Sequence, residues 1–248
     1  MKIYKTLLTP LLSLSVLVAA GTAQAATWCE SGKPVKFAGL NWESGMLFTD
    51  LMQFVLEKGY GCKTDSLPGN SIAMENALSS NDIQVFAEEW VGRSNVWVKA
   101  EKAGKVVGVG APVVGAVEGW YVPRYVIEGD ESRKIKASAP NLKSIADLAQ
   151  YASVFKDQEE PTKGRFYNCP AGWTCELDNS AMLKDYGLEN SYTNFRPGTG
   201  PALDAAVLSS YRRGEPILFY YWSPTPLLGS VDLVKLDEKP GVDKHVDI

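Results

Sequence analysis

Short apolar runs alternate with longer amphipathic ones along most of the chain, and this alternation restricts the fold more than any other feature. "VKFAGL" (35–40) reads as a strand, and "GMLFTDLMQFVLEKG" (45–59) as a helix capped by Ser44 and stopped by Gly59. A strand near Cys62, a helix from Ser71 to Ser79, the strand "IQVFA" (83–87) and a helix from Arg93 to Ala103 follow. The glycine-rich run Val106 to Pro123 predicts paired extended segments broken by turns, a natural crossing between lobes. A second alternation then begins. It comprises a helix over 144–155 with Ser144 and Asp147 in capping-box positions, strand 164–168, helix 177–187, strand 191–195, helix 201–214 and strand 216–222. Repeated β-α-β order predicts α/β sheets, in two lobes.

The first residues read as an export signal: Lys2 and Lys5, an apolar stretch from Leu7 to Ala20, and Ala23-Gln24-Ala25 at the cleavage position, so that the mature chain begins at Ala26. The stretch is interrupted by Pro10 and is short for a membrane span. Cys29 lies away from the junction, which argues against lipid anchoring. About 220 residues remain, enough for one large domain or two small lobes. The formal charge of −4 becomes −6 when Lys2 and Lys5 are removed, which argues against a nucleic-acid partner.

Four cysteines in an exported chain read as two disulfides with three possible connectivities. Cys169 with Cys175 is the sequence-close pair, which leaves Cys29 with Cys62. By loop entropy the short bridge contributes about 2 kcal/mol and the longer one nearer about 4 kcal/mol. The short bridge therefore shapes a loop more than it stabilises the fold. The spacings do not suit paired zinc ligands and the single histidine is His245, so no metal is expected. An exported Ser-His-Asp hydrolase is disfavoured for the same reason and for want of a G-x-S-x-G elbow.

Four of the seven tryptophans fall where strands hand over to loops: Trp42, Trp90, Trp173 and Trp222. In open α/β sheets that edge binds ligands, because strand carboxyl ends and helix amino ends converge on a crevice. Core packing is the alternative for any one of them. Trp97 has core spacing, Trp28 is uninformative, and of Trp120 and Tyr121 only one faces a cleft. Converging aromatic faces attract a cation without N–H donors. They also stack on sugars, but the hydroxyl partners near these edges are few: Asn41, Glu43, Glu88, Glu89 and Ser223. Glu88 and Glu89 either add negative potential beside Trp90 or form a solvated edge. "CPAGWTCE" runs straight into a helix, so the backbone N–H groups of Thr174 and Cys175 are placed to meet an anion while Trp173 packs on a cation. "RPGTGPALD" (196–204) is a second glycine-rich helix entry, better read as a turn and cap; no phosphate-binding fingerprint is present.

Together, "CPAGWTCE", "ILFYYWSPTP" and the strand end "FAEEW" resemble the substrate-binding proteins of glycine betaine, choline and proline-betaine ABC transporters, over most of the mature chain. The resemblance implies a two-lobed, type II-like periplasmic-binding-protein fold, with lobe I over 26–118, lobe II over 119–225, a hinge near 110–123 and a return segment over 226–248. It implies a periplasmic, monomeric, non-enzymatic receptor that needs no cofactor and delivers a small zwitterionic or cationic ligand to a membrane permease. Another organic cation, an amino acid or a sugar is the alternative ligand. By position, Trp90, Trp173 and Trp222 match cage tryptophans, Trp42 in "LNWESG" matches an aromatic of the choline-binding branch, and Trp120 aligns approximately with a cleft aromatic. The Cys169–Cys175 pair matches a disulfide of the glycine betaine branch, where amides after the tryptophan hold the carboxylate. Two departures stand out. "WVGRSNVW" offers Arg93 or Ser94 where that branch has a histidine, and the sequence ends at Ile248 where family members continue with helices that return to the first lobe.

Overall fold

The computed structural model describes residues 28–239; the export segment 1–25, Ala26 and His245 lie outside them. In the first lobe, β1 (Val35–Gly39) pairs in parallel with β2 (Thr64–Pro68) across α1 (Glu43–Tyr60). Trp42, in extended conformation, takes the N-cap of α1, so Ser44 lies inside the first turn and does not cap it. The helix runs past Gly59 and ends at Gly61, whose left-handed φ of 66° closes the last turn. "IQVFA" forms a single bridge, Phe37 to Val85, and not a full strand. The Gln84 side chain accepts the Lys36 N–H at 3.0 Å, taking a donor that a continued ladder would use. The lobe is completed by α2 (Ser71–Ser79), capped by Asn70, and α3 (Asn95–Lys102), capped by Ser94.

Between the lobes, residues 105–116 form no strand, and Val107, Val109 and Val114 are exposed. Gly108, Gly110, Pro112 and Gly115 raise the cost of an extended ladder there. Of the expected hinge, only this part lies outside a sheet. Residues 117–123 form β3 (Val117–Pro123), inside the second sheet.

That sheet has the order β5-β4-β6-β3-β7, with β4 (Gly164–Tyr167), β5 (Tyr192–Phe195), β6 (Leu218–Ser223) and β7 (Leu233–Lys235). Strand β4 is parallel to β5 and β6, joined through α5 (Thr174–Asp185) and α6 (Gly200–Arg213), whereas β3 runs antiparallel to β6 and β7. Short helices α4 (Arg124–Glu128) and α7 (Pro226–Ser230) flank β3 and β7. The expected return toward lobe I is corrected over its described part: β7 completes the second sheet, and the Leu236 N–H donates to the Trp120 carbonyl at 2.8 Å. The helix expected over 144–155 is a 3-10 helix over 145–151, with the Asp147 carboxylate accepting the Ser144 N–H at 2.8 Å.

The core lies about this sheet, where Trp120, Val122, Phe166, Leu218 and Phe219 meet Ile145, Leu148, Leu203 and Val207. The first lobe is thinner. Helix α1 buries Gly45 and Thr49, while Leu47, Leu51, Phe54 and Val55 are exposed. The disulfides are Cys29–Cys62, which ties the start of the described chain to the end of α1, and Cys169–Cys175. No helix among the described residues is long and apolar enough to cross a membrane.

Asp157 is fully buried yet charged, because Arg165 donates to it from Nε at 3.0 Å and Nη2 at 2.8 Å, and the Glu159 and Glu160 N–H groups add two more bonds. These bonds, Arg165 first, hold the carboxyl well below the ordinary range. Removing one partner of a buried pair leaves the other charge uncompensated, so Asp157→Asn is expected to lower stability by roughly 3 kcal/mol, read from the urea midpoint.

Candidate ligand-binding site

Four segments distant in sequence deliver their tryptophans to one place. Trp42 comes from the turn after β1, Trp90 from beyond the Val85 bridge, Trp173 from the N-cap of α5 and Trp222 from the end of β6. Edge-to-face contacts link them: Trp42 to Trp173 at 5.4 Å, Trp173 to Trp222 at 5.5 Å and Trp90 to Trp222 at 6.4 Å. They bound a cavity of about 340 Å³, part of it open to solvent, at the small end of the range for small-molecule sites. Tyr220 completes the aromatic wall. It lies two residues before Trp222 on β6, and the period of a strand puts both on one face, a signal in "FYYW" that could have found it.

Two of the indoles are anchored by hydrogen bonds. Trp173 Nε1–H donates to the Asn41 side chain at 2.7 Å, a bond between the lobes, and Trp90 Nε1–H donates to Glu88 at 3.0 Å. Two glycines permit the close approach. A Cβ at Gly172 would lie 2.1 Å from the Asn70 amide, and one at Gly200 would lie 3.1 Å from the Asn41 carbonyl and 3.2 Å from the Trp173 ring. The 196–204 entry is a turn and cap: the Thr199 side chain accepts from the Ala202 N–H, and the Gly200 N–H donates to Asn41.

Trp120 does not line this cavity. It is fully buried, stacks on Phe166 at 3.9 Å and donates to Asn179 at 2.7 Å. It borders a second space of about 230 Å³ that shares Arg93, Glu118, Cys175 and Tyr220 with the first. Tyr121 borders neither and stacks on Phe219. Trp97 is core, and Trp28 is partly exposed.

The polar end of the aromatic cavity is formed by Thr174 and Cys175, the first two residues of α5, with Ser71, Arg93 and Glu118. N–H groups in the first turn of a helix have no intrahelical acceptor. Of the two residues offered in "WVGRSNVW", Arg93 lines the cavity, whereas Ser94 caps α3 and donates to buried Glu75. Arg93 is itself engaged, pairing with Glu118 and, at 3.1 Å, with Asp178. The Tyr220 hydroxyl donates to Glu118; burial, then the charge of Glu118, pushes this phenol well above its ordinary pKa and keeps it neutral.

Glu88 and Glu89 are not a solvated edge. Glu88 is buried, and burial together with the charge of Glu75 pushes Glu89 up to about 8. A carboxyl whose folded pKa is raised stays protonated in the folded chain while the unfolded chain ionises, so stability falls as pH rises from about 4.5 to about 8. Glu89→Gln is expected to remove that component of the slope, measured as urea midpoints across the range. An unchanged slope would count against a neutral Glu89.

The family model described as the substrate-binding domain of ABC-type glycine betaine transport systems matches residues 33–247. The glycine betaine/proline betaine-binding periplasmic protein of Escherichia coli (strain K12) is 28% identical over 149 residues, 60% of this chain and 42% of that protein. The chain thus spans less than half of that relative's length. A glycine betaine, L-proline ABC transporter binding protein (ProX) from Borrelia burgdorferi superimposes with a TM-score of 0.69 at 24% identity, over 85% of this chain and 71% of that one. An ABC-transporter choline-binding protein in complex with choline superimposes with a TM-score of 0.64 at 19% identity, over 84% and 65%. At these identities the two structures speak for the shared two-lobed fold. By the match over 33–247, the chain belongs to the family of substrate-binding domains of ABC-type glycine betaine transport systems.

Proposed function

We propose that this chain is the receptor of an ABC importer, capturing a quaternary-ammonium compound between its lobes in the periplasm and presenting it to a membrane permease. The reading is of a binding protein and not an enzyme. The observation that carries it is the convergence of Trp42, Trp90, Trp173 and Trp222 on one cavity. A quaternary ammonium has no N–H to satisfy, so an aromatic wall solvates it without hydrogen bonds. Each ring contributes about 0.5–2 kcal/mol, a substantial part of the roughly 8 kcal/mol that micromolar affinity requires.

Trp42 and Trp90 belong to the first lobe, and Trp173 and Trp222 to the second. Neither lobe makes the cage alone. A ligand that binds the assembled cage more tightly than either half shifts the population toward the closed form. The E. coli relative is named for glycine betaine and proline betaine and a structural neighbour for choline, which supports the same ligand class here. A sugar would need more hydroxyl partners than Ser71, Thr174 and Tyr220 offer.

Titration calorimetry tests the reading. Tetramethylammonium is expected to bind and its primary-amine counterpart, methylammonium, to bind far more weakly; equal affinities would sink the cage. Trp173→Ala is expected to cost about tenfold in affinity or more, roughly 1.4 kcal/mol, with an unchanged far-UV spectrum. Unaltered affinity would return Trp173 to a packing role.

A further inference from the structure

The polar end of the cavity bears on which quaternary ammonium fits. Arg93 is the one cationic side chain among the described residues lining the cavity, and its guanidinium is divided between Glu118 and Asp178. A ligand carboxylate would have to share Arg93 with the two carboxylates already paired with it. Arg93 with Glu118 on the cavity and Asp178 behind it, on the adjoining space, sum to one net negative formal charge. Buried Glu88 bonds the Trp90 indole from outside the cavity lining. A zwitterion gains little from that excess, since its own negative end opposes it. A ligand carrying a single positive charge gains from it in full.

Hydrogen-bond capacity points the same way. The N–H groups at the start of α5 offer donors, and Glu118 offers an acceptor on the same cavity. Its oxygens take bonds from Arg93 and Tyr220, and a carboxylate has about four lone-pair sites. A hydroxyl can use both kinds of partner at once, accepting from a helix N–H and donating to Glu118. A ligand carboxylate can only accept, and would bring a third negative group to the Glu118–Asp178 pair.

We propose that Glu118, fixed by Arg93 and Tyr220, is a specificity-determining residue of this cavity, and that it selects a quaternary-ammonium alcohol over a carboxylate-bearing betaine. This rests on the cavity being a quaternary-ammonium site. Arg93 then acts as a positioning residue that fixes the Glu118 carboxylate.

The test is calorimetric titration of wild type, Glu118→Gln and Glu118→Asp with choline, glycine betaine and tetramethylammonium. Wild type is expected to bind choline about tenfold more tightly than glycine betaine. In Glu118→Gln the ratio is expected to fall to about threefold or less, chiefly through weaker choline binding, while Glu118→Asp, which keeps the charge, retains the preference. Glycine betaine binding as tightly as choline in wild type would overturn the proposal while leaving the cage reading intact. A ratio unchanged in Glu118→Gln would remove Glu118 as its cause. Should that variant not fold, the wild-type and Glu118→Asp ratios decide the matter. Failure of wild type to bind tetramethylammonium would overturn the cage reading, and this proposal with it.

Discussion

The indole N–H of Trp173 bonds the Asn41 side chain, and through that bond the amino end of α5 in one lobe is tied to the turn after β1 in the other. The other site contacts are arranged around it. Trp42 and Trp222 each meet the Trp173 ring edge-to-face, and Gly200 gives up a side chain so that α6 can approach the same point. The Cys169–Cys175 bridge closes a loop of only a few residues, so its stabilisation by loop entropy is small; it joins the segment before Trp173 to the first turn of α5. The helix amides and the aromatic face therefore come as a unit.

Several polar groups around the cage are buried together and bond one another. Glu88 holds Trp90, Tyr220 and Arg93 hold Glu118, and Asp178 holds Arg93 from behind. Low local dielectric strengthens such bonds and makes any unpaired member costly. It also shifts titration: Glu89 is pushed toward neutral pH and Tyr220 well beyond it, each chiefly by burial. The cavity thus combines an aromatic wall with a polar end at which Arg93 is paired with two carboxylates.

Much of this was legible in the sequence where local rules suffice. The helix over 71–79, the strands that lead to Trp42 and Trp222, the Ser144–Asp147 box and both disulfide pairs follow from periodicity, capping and spacing. Local rules failed where a distant partner intervened. Ser44 lost the cap of α1 because buried Trp42 fixes the entry to that helix. "IQVFA" stopped at one bridge because Gln84 turns its side chain onto β1. The glycine-rich run before β3 found no neighbouring strand, and β7 docked on β3 and did not lead away from the sheet.

The sequence by itself therefore determined the order of most elements, the α/β class and the four tryptophans that stand apart from the core pattern, because each is set by neighbours a few residues apart. The tertiary structure alone decided that Trp120 packs on Phe166 and not on the cage, and that Arg93 meets Glu118 and Asp178. The bond from Trp173 to Asn41 spans 132 residues of chain. A hydrophobic pattern reports which side chains are to be buried; which of them share a cavity depends on how two sheets approach, and that is a property of long-range packing.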